Sequence, residues 1–163
     1  MTEVVTPSNE PLTDGQVNGM IVRRVEKIGR ARTPREAIAA TGRKQNVITV
    51  VADAMPRGEG DEATVFYFEP DKSAFDGDGG ISPEKLALEY DRHGLKPDPR
   101  AVAADNEAHP DFGDKIPNVC QWQGADGDWY YVAFYVWYNK RVVCVYRVTG
   151  AWHGIWWFGG VRK

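Results

Sequence analysis

The sequence predicts an α+β fold: an antiparallel sheet with a C-terminal aromatic-rich meander, covered by two or three short helices. Three observations carry that expectation. Residues 118–163 hold all six tryptophans, five of the seven tyrosines and two of the six phenylalanines. Large aromatic side chains dominate core energetics, so a chain of this size folds around them. The same stretch is β-branched and aromatic, and it is punctuated by Asn139-Lys140 and by Thr149-Gly150-Ala151-Trp152-His153-Gly154, the pattern of antiparallel strands joined by turns. Upstream, Ser82-Pro83 and Asp98-Pro99 each place a capping side chain before a proline suited to a first helical turn.

Taken in order, residues 1–15 are polar, contain Pro7, Pro11 and Gly15, and read as a flexible N-terminal tail. Residues 16–163 then form a single α+β domain. Between Gly19 and Gly29, helical spacing of Val17, Ile21, Val25 and Ile28 competes with β-branched content; glycines at the start favour a strand. Thr33-Pro34-Arg35-Glu36 is a capping-box sequence, and Gly42 stops the short helix it opens. Val47–Met55 fits either a helix or a strand. Ala63–Glu69 is a strand by composition, and Asp71–Gly80 is a loop.

The helix opened by Ser82 has Ile81 positioned to staple onto Leu86, and Gly94 closes it with Leu95 against Tyr90. The helix opened by Asp98 and bounded by Pro110 is alanine-rich: Ala101, Val102, Ala103, Ala104 and Ala108 let it lie close on a sheet. Phe112 and Ile116 lead into Val119–Trp122, and Gly124–Asp128 turns into the aromatic strand.

A two-residue turn at Asn139-Lys140 sets Tyr138 against Arg141. One face of the hairpin then carries Tyr131, Ala133, Tyr135, Trp137, Val142, Cys144, Tyr146 and Val148. The other carries Val132, Phe134, Val136, Tyr138, Arg141, Val143, Val145 and Arg147. The second face is apolar at its centre, so it needs a cover, which the alanine-rich helix can supply.

Composition is that of a globular domain, 42% hydrophobic and 26% charged. No run of about 18 apolar residues is present to span a membrane, and the N-terminus lacks the plan of a signal peptide. A cytoplasmic protein is expected, with Cys120 and Cys144 as buried reduced thiols. The net charge of −3 conceals segregation: residues 20–46 carry eight bases and two acids, residues 47–128 seven bases and eighteen acids, and residues 129–163 five bases and no acid. Mutual compensation on folding is the expected outcome.

Asp76-Gly-Asp78-Gly-Gly-Ile-Ser-Pro-Glu84 fails as a calcium loop, because a count from Asp76 puts Gly80, Ile81 and Ala87 where ligand, glycine and glutamate belong. His93, His109 and His153 have no zinc-type spacing, and neither Gly-x-Ser-x-Gly nor a phosphate-binding loop is present. A Cys144/His153 nucleophile pair is disfavoured by the core-facing position of Cys144. No catalytic residue, metal or cofactor is therefore assigned.

The leading expectation is a non-enzymatic interaction module. Trp152, His153, Trp156 and Trp157 lie in or beside a glycine-rich turn, a composition typical of interface hot spots, and point to a protein partner or a homo-oligomer. Tyr138, Phe134, Arg141 and Arg147 share a face, which gives the alternative of a single-stranded nucleic-acid-binding domain. A small hydrolase is the third possibility.

Arg32-Thr-Pro-Arg-Glu-Ala-Ile, Met55-Pro-Arg-Gly-Glu-Gly and the closing Trp156-Trp157-Phe158-Gly-Gly-Val-Arg-Lys together resemble small uncharacterised accessory proteins of phages and prophages. That resemblance implies action on a host component and assigns no role to any residue.

Overall fold

The structure is a computed structural model in which residues 15–163 are described. In chain order the elements are β1 (Gly15–Val17), β2 (Met20–Val25), α1 (Pro34–Ala40), β3 (Lys44–Val47), α2 (Thr49–Asp53), β4 (Ala63–Phe68), β5 (Gly80–Ile81), α3 (Pro83–Arg92), β6 (Leu95–Lys96), α4 (Pro99–Ala108), α5 (Phe112–Lys115), β7 (Asn118–Gln123), β8 (Trp129–Trp137), β9 (Lys140–Arg147), β10 (Trp152–His153) and β11 (Trp157–Arg162). The tail expected over residues 1–15 lies outside the described residues, apart from Gly15, which opens β1. None of the helices is long and apolar enough to cross a membrane, among the described residues.

Local chemistry starts the principal helices. Thr33 Oγ1 accepts from the Glu36 N–H while the Glu36 carboxylate accepts from the Thr33 N–H, closing a capping box on α1. Ser82 caps α3 through the Lys85 N–H, and Asp98 caps α4 through the Ala101 N–H. The helix count exceeds the expected two or three because α2 and α5, of five and four residues, also form. Neither has a side-chain cap hydrogen bond, so neither leaves a signature in the sequence.

The sheet is mixed, which corrects the antiparallel expectation. Nine strands run in the order β1-β2-β4-β11-β7-β8-β9-β3, with β6 also beside β11. The β11–β7 and β3–β9 pairs are parallel and the others antiparallel. The last strand of the chain lies in mid-sheet rather than closing a meander, and β3 reaches β9 across a long sequence separation. Gly159 permits the central position: a Cβ there would come within 2.6 Å of the Tyr67 ring and 3.0 Å of Val102 on α4.

The hairpin register also differs from expectation. The turn is Tyr138-Asn139, with φ of 48° and 62°, so Trp137 pairs with Lys140 and Tyr135 with Val142. Left-handed values at both turn positions match the twist of a hairpin. The change moves each pairing by two residues, and because strands alternate with period two, every side chain keeps its expected face.

Both faces of the sheet are packed. On one, α4 lays Ala101, Val102, Ala103 and Ala104 against Tyr67, Cys120, Val132, Phe134, Val143 and Val145, and α1, α2 and α5 add Ile38, Val51 and Phe112. This is the cover that the second hairpin face requires. On the other face α3 places Leu86 and Tyr90 over Phe68, Val119 and Phe158. Tyr90 Oη donates to the Gly159 carbonyl at 2.8 Å, tying α3 to β11.

Candidate functional site

The helices that touch β8 and β9, namely α2, α4 and α5, pack on the α4 side of the sheet. On the opposite side, among the described residues, Trp152 and Trp156 from the chain between β9 and β11 pack over the outer end of the sheet. Pairing registers define the side-chain grid there, in which Ala133, Val142 and Cys144 form a buried floor. Trp137 stands beside Lys140; Tyr135, Val142 and Lys44 form the next row; Ala133, Cys144 and Asn46 follow; Tyr131 and Tyr146 close it, with Ile48 next in the same register.

The rings in this grid are organised edge to face. Trp156 meets Tyr135 at a centroid distance of 5.4 Å and 88°, and Trp152 meets Tyr131 at 5.0 Å and 78°. Trp152 and Trp156 touch each other at 5.9 Å. Trp152 is anchored as well: its Nε1 donates to Gln121 Oε1 at 2.8 Å, and Gln121 is itself held by the Pro83 carbonyl. Tyr135 Oη and Cys144 Sγ lie 3.1 Å apart beneath the rings. Burial raises the Tyr131 hydroxyl to about 12, and burial together with the Cys144 contact raises that of Tyr135. Both phenols are therefore neutral, and the layer is apolar.

Beyond this layer the surface is open. Trp137 is 60% exposed, and Tyr138 stacks edge-on against it at 5.0 Å while 83% exposed. Tyr146, Ile48 and Ile155 are exposed too. β3, β8 and β9 contain no acidic residue. Lys44 and Lys140 stand exposed on this face and pair with no carboxylate among the described residues.

The residues singled out from sequence divide between locations. Trp152 and Trp156 belong to the grid, half-buried rather than free. His153 is exposed in the two-stranded β5–β10 ribbon, where it pairs with Gly80. Trp157 packs on the α4 side. Tyr138 is at the hairpin tip. Arg141 and Arg147 are turned away from the grid: Arg141 makes a bidentate pair with Asp114 of α5, and Arg147 lies 3.2 Å from Asp128. Phe134, expected to share a stacking face with them, is fully buried. Trp137 was legible as a residue near the end of its strand, whereas Lys140, expected inside the turn, is a strand end paired with Trp137. Lys44 and Ile48 were not legible, because only the β3–β9 pairing brings them here.

No family model matches this chain. Nor does any curated protein or solved structure.

Elsewhere the charged groups are structural. Arg23, Arg24, Arg30, Arg32 and Arg35 meet Asp105, Glu62, Asp98, Glu107 and Asp53 respectively, so five of the eight bases of residues 20–46 are matched by acids from 47–128. A cleft of about 720 Å³ between the end of β2 and α4 is lined by the Arg32–Glu107 pair and His109. Both cysteines are buried and unbridged. Among the described residues no group of three or more His, Cys, Asp or Glu side chains is placed to hold a metal ion.

Proposed function

We propose that this protein is a non-enzymatic interaction module, an accessory protein of the phage or prophage kind, that binds a host protein through its aromatic outer face. The observation that carries this reading is Trp137: a tryptophan at the strand end, 60% exposed beside Tyr138, on a surface that none of the described helices covers. Exposed tryptophan and tyrosine are side chains enriched at interface hot spots, and the neighbouring lysines suit the polar rim of such a patch. Affinity capture from host lysate with the wild type and with Trp137→Ala and Tyr138→Ala tests it. Both side chains project into solvent, so neither variant perturbs the core, and both should lose the captured partner. Retention of the same partner by both variants would remove the aromatic face from consideration.

Single-stranded nucleic-acid binding is the second reading, since exposed rings also stack bases. It is the weaker because Arg141 and Arg147, the cations assigned to phosphates, already face carboxylates.

A further inference from the structure

We infer that the partner binds as an added strand: an extended acidic segment pairs with the free edge of β3, its side chains reaching the lysines of the adjoining face. This rests on the interaction-module reading and specifies the partner and the mode of docking. β3 is the terminal strand of the sheet. The Ile48 N–H donates to the Val145 carbonyl at 3.0 Å, and Ile48 follows β3 in the parallel register that pairs Asn46 with Cys144. Backbone direction alternates along a strand, so Asn46 and Ile48 turn their polar groups to β9 while Gln45 and Val47 turn theirs outward. No hydrogen bond reaches those outward groups from any described residue. Lys44, Gln45 and Asn46 are exposed. The edge thus offers two N–H donors and two carbonyl acceptors at strand spacing, the requirement for strand addition.

Charge selects the occupant. An added strand would lie beside Lys44 on the outer face, with Lys140 one row away and Tyr146 and Ile48 at the far end. With no acid on β3, β8 or β9, these lysines have no counter-charge on their own sheet surface. A lysine on an edge strand ordinarily blocks pairing with other edges. It blocks a basic or neutral edge, including that of a second copy, and favours one carrying aspartate or glutamate alternating with apolar side chains.

The test uses the full chain and a synthetic peptide alternating glutamate with valine, followed by NMR. Binding should shift the Gln45 and Val47 amides and slow their hydrogen exchange by roughly tenfold. Three controls bear on the mode. A lysine–valine peptide should not bind. The glutamate–valine peptide N-methylated at every residue should bind about tenfold more weakly, because it keeps the charge but loses the backbone donors of both edges. Lys44→Glu combined with Lys140→Glu should weaken the unmodified peptide by about tenfold or more. Equal binding of the methylated peptide overturns strand addition, and so does no response at Gln45 and Val47. If Trp137→Ala still abolishes capture of the host protein in that case, the interaction-module reading stands and only the mode falls. Tighter binding of oligo-deoxythymidine at the same residues, displacing the peptide, overturns the protein partner itself.

Discussion

Asp105 lies on α4 without solvent exposure, and its carboxylate accepts from Tyr67 Oη at 2.8 Å and from Arg23 Nε at 3.3 Å. Arg23 in turn sits over the Phe112 ring at 4.3 Å. One side chain therefore joins α4 to β2 and β4. Removing it strands a guanidinium and a hydroxyl in the core, so Asp105→Ala should cost roughly 3–5 kcal/mol in urea unfolding. Burial raises the Asp105 carboxyl above its ordinary range, against the pull of Arg23 and Tyr67. The folded state then holds this proton more readily than the unfolded chain. Its contribution to stability falls as pH rises from the unfolded value, about 3.9, through the raised folded one. Asp105→Asn removes that dependence, so its stability relative to wild type should increase as pH rises through this window. Asp53, Glu89 and Asp114, lowered by their arginine partners, lose stability as pH falls, but they do so in both proteins and cancel. A difference that stays flat with pH would show that Asp105 is ionised no less readily in the fold than out of it.

The β8–β9 hairpin sets stability against binding. Tyr138 holds φ of 48° in its turn, a left-handed conformation that costs a non-glycine residue about 1 kcal/mol and that asparagine tolerates better. Tyr138→Asn should therefore raise stability by roughly 0.5–1 kcal/mol while weakening capture of the partner, since the exposed ring is gone. Thermal unfolding and capture on the same preparation read the two signs; a loss of stability would mean that the Trp137 contact outweighs the backbone strain. Elements of this kind differ in how far sequence discloses them. The caps at Thr33, Ser82 and Asp98 act within a few residues and were readable directly. The turn was not, because Asn139-Lys140 and Tyr138-Asn139 both keep the apolar alternation intact, and only the twist of the paired strands separates them.

Across the whole molecule, the separation of charge along the chain is largely cancelled by folding. Arginines of residues 20–46 meet acids of 47–128, and Arg141, Arg147 and Lys163 meet Asp114, Asp128 and Asp91. Lys44 and Lys140 remain as the cations of the aromatic face. Were a single-stranded oligonucleotide to bind there, two phosphate contacts would give a salt slope of about −1.4 on logarithmic axes. Such binding should be negligible at physiological salt for a chain of net charge −3. Fluorescence anisotropy over a salt series measures it, and a slope steeper than roughly −3, abolished by Arg141→Ala with Arg147→Ala, would restore the nucleic-acid reading.

By itself the sequence determined the α+β class, the helices at Thr33, Ser82 and Asp98, the face on which each hairpin side chain lies, and the need for a cover over Phe134 and Val143. Each follows from period, cap or composition, which act over a few residues. Tertiary structure alone decided that β11 enters mid-sheet beside β7, that β3 runs parallel to β9, and that Arg141 and Arg147 are consumed by Asp114 and Asp128. These depend on contacts between distant segments, whose partners no local pattern specifies. The candidate site belongs to the second group: Trp137 and Tyr138 can be read as a hairpin tip, but the lysine and the open edge beside them arrive only when β3 pairs with β9.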